Sequence, residues 1–227
     1  MKLLKKLLTI ILILLIISAT FFFIIGYGYY SSTLKEKPLL TRVNEVISQE
    51  HYTPFNDLPQ NYINAVIAVE DHRYYDHGAI DPIGIARAFY TNIRDSKFDE
   101  GGSTITQQVA KNVIFNQEKT LIRKFGEVFA AYDLEKNYSK DEIFALYVNS
   151  SYFGDGYYCI YDASMGYYGK EPKDLTLAEA SLLAGVPNAP SVYSPTVNPD
   201  LAKKRQKHVL NKMVEYGYIT QEEADSI

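Results

Sequence analysis

Three short stretches of this sequence gather side chains able to do chemistry. The first is Glu70-Asp71-His72-Arg73-Tyr74-Tyr75-Asp76-His77-Gly78. Glu70 stands four residues after Val66 and next to Val69, so its carboxylate leaves the margin of an apolar face, where partial desolvation suits a general base. Taken alone, a solvated acidic helix end reads the same way. The second is Gly101-Gly102-Ser103-Thr104-Ile105-Thr106-Gln107-Gln108, running into Val109-Ala110-Lys111-Asn112. Two glycines before Ser and Thr predict a loop feeding a helix N-terminus, whose free amides and hydroxyls can hold phosphate or sugar oxygens. It is not a nucleotide P-loop, because no Gly-Lys-Ser/Thr follows at the required spacing. The third is Arg123-Lys124-Phe125-Gly126-Glu127, in which Arg123 and Glu127 are i, i+4 neighbours. By itself that is an ordinary surface ion pair. His72 and His77 lack the His-Glu-x-x-His spacing of a zinc site, which points them to hydrogen bonding rather than to a metal.

The elements that must position these residues are helices. Tyr62, Ala65, Val66 and Val69 follow the i, i+3, i+4, i+7 rule, and Leu121, Phe125, Val128, Phe129 and Tyr132 follow it with drift. Capping boxes at Ser139 with Glu142, Thr176 with Glu179 and Thr220 with Glu223 mark three further helix starts. No pair of alternating runs flanks a hairpin turn, so the expected fold is mainly α. Residues 31 to 54 show no sustained period, carry Pro38 and Pro54 as breakers, and read as a stalk and lead-in to a domain over 55 to 227.

Residues 1 to 30 read as a basic flank and a membrane anchor. Lys2, Lys5 and Lys6 precede an uncharged run from Leu7 to Ile25, long enough at 1.5 Å per residue to cross roughly 30 Å of hydrocarbon. Tyr27, Tyr29 and Tyr30 follow at interface depth. The flank predicts a cytoplasmic N-terminus and an exported catalytic domain, and no small-x-small cleavage site closes the run. Removing residues 1 to 30 is therefore expected to leave a foldable domain that loses more activity on bilayer-embedded substrate than in detergent. Acidic residues number 27 against 23 basic, a net of −4, so no basic field points to nucleic acid and any anion site must be local. The single cysteine, Cys159, excludes an intrachain disulfide and reads as a small buried side chain.

Together the clusters resemble the five ordered motifs of the family 51 glycosyltransferases, the transglycosylase domain of class A penicillin-binding proteins and of monofunctional peptidoglycan polymerases. EDHRYYDHG is similar to ED-x-x-F-x-x-H-x-G with Tyr74 in place of Phe, and GGSTITQQ matches the second motif without change. RKFGE matches R-K-x-x-E. KDEIFALYVN resembles K-x-x-I-L-x-x-Y-L-N, with Phe144 and Val148 as departures. LTLAEASLLAGVPNAPSVYSP and the segment from Arg205 to Leu210 complete the series, with Gln206 where a second Arg is usual.

The resemblance implies a lysozyme-like, bilobal α fold with a head and a smaller hydrophobic jaw that dips into the bilayer. It also implies a reaction, the polymerisation of lipid II. The growing strand, held through its polyprenyl pyrophosphate, is the donor, and the GlcNAc 4-hydroxyl of the incoming lipid II attacks it with inversion. Glu70 would be the general base, with Asp71 supporting it. Lys111, Arg123 and Lys124 would face the leaving pyrophosphate, and Ser103, Thr104, Gln108 and Asn112 would orient sugar and phosphate oxygens. Glu127 would hold Arg123 or coordinate a divalent cation, Mg or Mn. The expected partners are lipid II, the lipid-linked glycan strand, the membrane and other cell-wall synthesis proteins. A glycan-cleaving hydrolase would also use two carboxylates, but it has no pyrophosphate for the basic trio to meet. A non-catalytic scaffold needs neither base nor charge clamp. No penicillin-reactive centre is expected, since Lys-Thr-Gly is missing and the one Ser-x-x-Lys, at Ser32 to Lys35, lies in the stalk.

Overall fold

The computed structural model describes residues 2–95, 101–115 and 120–227, and among them no strand occurs. The expectation of a mainly α protein is met.

The central element is α3 (Gln60–Glu70), introduced by Pro59, which fixes an extended entry and cannot continue a helix backwards. Tyr62, Ile63, Ala65, Val66, Ile67 and Ala68 are all buried, a helix apolar on most of its circumference and so surrounded by others. It packs against α9 (Leu177–Gly185) and α11 (Pro199–Glu215). On the other side of the core, the short α5 (Ile105–Val109) packs against α6 (Leu121–Asn137) and α7 (Lys140–Ser150). Capping boxes open α7, α9 and α12 (Gln221–Asp225) as the sequence predicts, and a fourth, Thr104 with Gln107, opens α5. Each such cap contributes about 0.5–2 kcal/mol to its helix. Cys159 is the N-cap of α8 (Ile160–Tyr168), its sulfur accepting from the Asp162 amide, and burial pushes the thiol up to about 11.

Residues 31 to 54, expected as a stalk and lead-in, are largely helical: α1 runs unbroken over Lys2–Glu36 and α2 covers Leu39–Ile47. Tyr30, Val43 and Val46 enter the core. The period is hard to read there because α2 is only nine residues long and buries just two positions, one turn apart. The apolar stripe predicted for α6 exists but does not face the domain core. Leu121 and Tyr132 are exposed, and Phe125 and Phe129 meet Phe22, Phe23, Tyr27 and Tyr30 of α1. Arg123, Glu127, Ala130, Ala131 and Leu134 are buried on the side away from that stripe, and Gly126 is buried where α6 meets Gly26 of α1.

Helix α1 is long and apolar enough to cross a membrane, and it lies along α6. Tyr30 donates to the Asp133 carboxylate where the two helices leave the apolar stretch. Gly26 sits at the closest approach, where a Cβ would lie 2.5 Å from Cβ of Phe125. Gly26→Ala should therefore force the helices apart and destabilise the detergent-solubilised chain by about 1–3 kcal/mol. Gly28, whose Cβ would meet nothing within 4 Å, provides the control. Gly28→Ala should leave the melting temperature unchanged or slightly raised, and equal effects of the two substitutions would show that the crossing is not packed. The same contacts revise the expectation for removal of residues 1 to 30. That cut takes Gly26 and Tyr30 out of a packed interface, so activity should fall in detergent as well as in bilayers.

Helix α4 (Pro82–Asp95), like α1, leaves a run of large apolar side chains exposed: Ile83, Ile85, Phe89, Tyr90 and Ile93.

Candidate active site

A cleft of about 240 Å³ opens at the C-terminal end of α3. Glu70 is the last residue of that helix, its side chain only 9% exposed. Its carboxylate is held from two sides: Oε2 accepts from Nε2 of Gln108 at 2.8 Å, and Oε1 lies 3.5 Å from a guanidinium nitrogen of Arg205 on α11. Arg205 is itself fixed by the Gly185 carbonyl at 3.3 Å and by stacking over the Tyr193 ring. The base candidate is thus aimed by residues far apart in sequence.

Asp71 joins the first and second motifs. Its Oδ2 accepts from the Ile105 amide at 3.0 Å and its Oδ1 from Nε2 of His77 at 2.7 Å. The expectation that the N-terminus of α5 offers free amides for phosphate is corrected here, because the Asp71 carboxylate occupies it and the Thr104 hydroxyl takes the Gln107 amide. Thr104 also donates to the Ala79 carbonyl at 2.8 Å, which commits its hydroxyl to holding the loop.

His77 faces acceptors with both ring nitrogens, Asp71 on one side and the Gly78 carbonyl, 2.6 Å away, on the other. Such a ring must carry two protons to satisfy both. Burial pushes the imidazole down, but the Asp71 carboxylate outweighs it and the net shift is upward. A raised native pKa makes this contribution to stability complete below the ordinary histidine value of 6.5 and lost as pH rises through the raised one. Urea midpoints of the parent should therefore fall between pH 6 and pH 8.5, and His77→Gln should flatten that slope. An unchanged slope in the variant would remove His77 from the account. His72 is the opposite case. It accepts from Arg87, stacks on Tyr216 at 4.3 Å, and burial followed by the Arg87 charge pushes its pKa down.

The third motif forms the cationic wall. After α5 the chain widens into a π turn, Ala110–Ile114, of the kind often found at functional sites, and this turn carries Lys111. Burial pushes the Lys111 ammonium below its ordinary range, with Glu127 opposing, so an anion reaching this partly desolvated cation meets little competing water. Glu127 is buried, not a surface partner. One of its oxygens accepts from Arg123 and the other from Nζ of Lys124 at 2.9 Å, and Lys124 also reaches the Ser103 hydroxyl at 2.6 Å. Both oxygens of Glu127 therefore accept from cationic side chains. Asp71, His77 and Asp81 form a cluster of metal-type ligands, but Asp81 is engaged by Arg73 and Asp71 by His77 and the Ile105 amide.

A protein-family model described as Transglycosylase matches residues 37–214. The chain belongs to the transglycosylase family. Among its relatives, penicillin-binding protein 1A of Neisseria lactamica is 48% identical over 177 residues, 78% of this chain and 22% of that protein. Penicillin-binding protein 1F of Bacillus subtilis strain 168 is 42% identical over 214 residues, 88% of this chain and 30% of that one. The chain thus spans less than a third of the length of these curated relatives. A crystal structure of penicillin-binding protein 1A from Haemophilus influenzae aligns at 27% identity with a TM-score of 0.38, over 54% of this chain and 15% of that one, a superposition too loose to bear on the fold.

Of the residues singled out from sequence, the transglycosylase cleft is lined by Glu70, Asp71, Ser103, Gln108, Lys111, Lys124 and Glu127. Thr104 and Arg123 stand behind its wall in buried supporting positions, and Asn112 is not part of the wall. Sequence reasoning gave no role to Arg87, Arg205, His208 and Lys212, which line the cleft as well. Three of these share one face of α11 at i, i+3 and i+7, a basic pattern visible in the sequence but indistinguishable there from a solvated face.

Proposed function

We propose that this transglycosylase polymerises lipid II into glycan strands by inverting glycosyl transfer at a membrane surface, with release of polyprenyl pyrophosphate. The observation that carries this reading is the placement of Glu70 in a cleft whose other two carboxylates, Asp71 and Glu127, are held by His77 and by Arg123 and Lys124, and whose remaining charged side chains are the cations Lys111, Lys124 and Arg205, with Arg87 and Lys212 at its other walls. Glu70 takes the proton of the attacking GlcNAc 4-hydroxyl as that oxygen closes on the donor anomeric carbon. The bond to the pyrophosphate breaks on the opposite face, and Lys111 and Lys124 stabilise the negative charge that develops on the departing group. Ser103 and Gln108 orient substrate oxygens, while Arg123, Glu127 and Asp71 hold the walls in place.

The apolar surfaces support a bilayer location for the substrate. Helix α1 supplies the anchor, with its basic N-terminal flank in the cytoplasm and the cleft on the outer side. The exposed apolar residues of α4 suit contact with lipid. Sharing of substrate or product with other cell-wall proteins belongs to the same reading.

The test is to incubate the full chain in detergent with fluorescent lipid II and, separately, with finished polymeric glycan. A ladder of longer products from the first and an unchanged length distribution in the second are expected. Shortening of the finished polymer without any ladder would instead support the hydrolase.

A further inference from the structure

Arg205, which lies 3.5 Å from Oε1 of Glu70, is held in its turn at three points along the side chain. The stem rests on bare backbone, since a Cβ on Gly185 would come within 2.8 Å of the Arg205 Cγ. Nε donates to the Gly185 carbonyl at 3.3 Å. The guanidinium carbon lies 5.7 Å from the centre of the Tyr193 ring, inside the roughly 6 Å reach of a cation–π contact. Gly185 belongs to the packed end of α9, but Tyr193 closes the short α10, which covers only Pro190–Tyr193. One turn of helix does not hold itself in water. The ring therefore needs an anchor outside α10.

The turn Gly154-Asp155-Gly156 supplies it. Two backbone bonds close this turn, from the Phe153 amide to the Tyr157 carbonyl at 2.8 Å and from the Tyr157 amide to the Gly154 carbonyl at 2.9 Å. It lies directly against α10, because a Cβ on Gly154 would meet Cβ of Ser194 at 3.1 Å and the Pro190 carbonyl at 3.2 Å. Asp155 is the one non-glycine residue with a positive φ among the described residues, at +52°, between Gly154 at +83° and Gly156 at +87°. Glycine takes that conformation freely and Asp is only tolerated in it, so a carboxylate kept there points to a role for the side chain. Its two oxygens accept from the hydroxyls of Ser194, at 3.1 Å, and of Thr196. Ser194 is buried and directly follows Tyr193. We propose that Asp155 and Tyr193 are positioning residues for the base: the carboxylate pins Ser194 and Thr196, the pinned chain holds the Tyr193 ring on the Arg205 guanidinium, and Arg205 keeps Glu70 directed into the cleft. Neither residue lines the cleft itself. Both act through Arg205.

This inference rests on Glu70 being the base. The experiment measures kcat and KM for lipid II polymerisation by the full chain in detergent, with melting temperatures in parallel, for Tyr193→Leu, Tyr193→Phe, Asp155→Gly and the double variant Asp155→Gly/Tyr193→Leu. Tyr193→Leu removes the π face but keeps an apolar side chain, and it should lower kcat roughly 10- to 100-fold with KM little changed, the loss that follows when a reacting group is slightly misplaced. Tyr193→Phe keeps the face and should restore the parent kcat. Asp155→Gly suits the backbone but frees Ser194 and Thr196, so it should lower kcat by a smaller factor. Added to Tyr193→Leu it should lower kcat no further, because both changes act through one contact. A Phe variant as slow as the Leu variant, a parent kcat in Tyr193→Leu or Asp155→Gly whatever happens to KM or melting temperature, or multiplying losses in the double variant would each overturn the proposal. Should Asp155→Gly fail to fold, the two Tyr193 variants still decide it. Polymerisation by Glu70→Gln at the parent rate would instead overturn the base assignment, whatever the Tyr193 and Asp155 variants do.

Discussion

Glu70→Gln should fold like the parent and lose polymerisation by about 10²–10⁴-fold, the usual contribution of a positioned general base. The amide keeps the shape of the side chain and can still accept from Gln108, which donates to Oε2 at 2.8 Å. What it cannot do is take the proton of the attacking hydroxyl. Arg205 loses a counter-ion at 3.5 Å, but it keeps the Gly185 carbonyl and the Tyr193 ring, so the fold should tolerate the change. A melting temperature close to the parent's, together with product too sparse to form a ladder, is the expected pair of results. Substantial polymerisation by the variant would require another base, and no other cleft carboxylate is so free of strong partners: Asp71 is bound to His77 and the Ile105 amide, and Glu127 to Arg123 and Lys124.

Glu127→Gln should act on stability first. The Glu127 side chain is 1% exposed and that of Arg123 10% exposed, so the substitution takes one side out of a buried ion pair. Breaking a buried pair from one side costs roughly 3–5 kcal/mol, a large part of the stability of an ordinary domain. Lys124→Ala should behave differently. Lys124 is 46% exposed, and its removal leaves Glu127 still paired with Arg123. The expected result is a small change in melting temperature with a loss of turnover of about 10²-fold, as when one preorganised donor to a developing anion is removed. Thermal melts and initial rates on the two variants separate the roles. If Lys124→Ala polymerised at the parent rate, the cation would be a surface partner of Glu127 and nothing more.

The contrast between these two residues shows what the sequence could and could not convey. RKFGE reads equally well as a solvated i, i+4 pair, because burial of Arg123 and Glu127 depends on which face of α6 meets the domain. The apolar stripe of Phe125, Val128 and Phe129 suggests the wrong face, since that stripe is satisfied by α1 rather than by the core. A helix that packs against both a membrane anchor and a domain has two buried sides, and hydrophobic periodicity records only the more apolar one. For the same reason the segments of α1 and α2 were legible as an anchor and a stalk, but not as suppliers of Tyr30, Val43 and Val46 to the core.

Local signals fared better. The capping boxes at Ser139, Thr176 and Thr220 start helices where they are written, because both partners lie within four residues of each other. Glu70, Gln108, Lys111 and Lys124 line one cleft, as their motifs imply, although the contact of Glu70 with Arg205 spans 135 positions and has no local trace. The role of Asp71 was legible only in outline. Its place beside Glu70 is written in the first motif, whereas its seat at the N-terminus of α5 depends on a loop closing across the second motif.

The measurement that bears most directly on base-catalysed displacement of a pyrophosphate is the anomeric configuration of the linkage formed when the full chain is given lipid II in detergent. Attack by a hydroxyl that Glu70 deprotonates, on the face opposite the leaving group, predicts a new glycosidic bond inverted relative to the donor, readable from the anomeric proton couplings of the purified polymer. A product with retained configuration would contradict the account, because retention requires a carboxylate nucleophile and a covalent glycosyl-enzyme in place of a base.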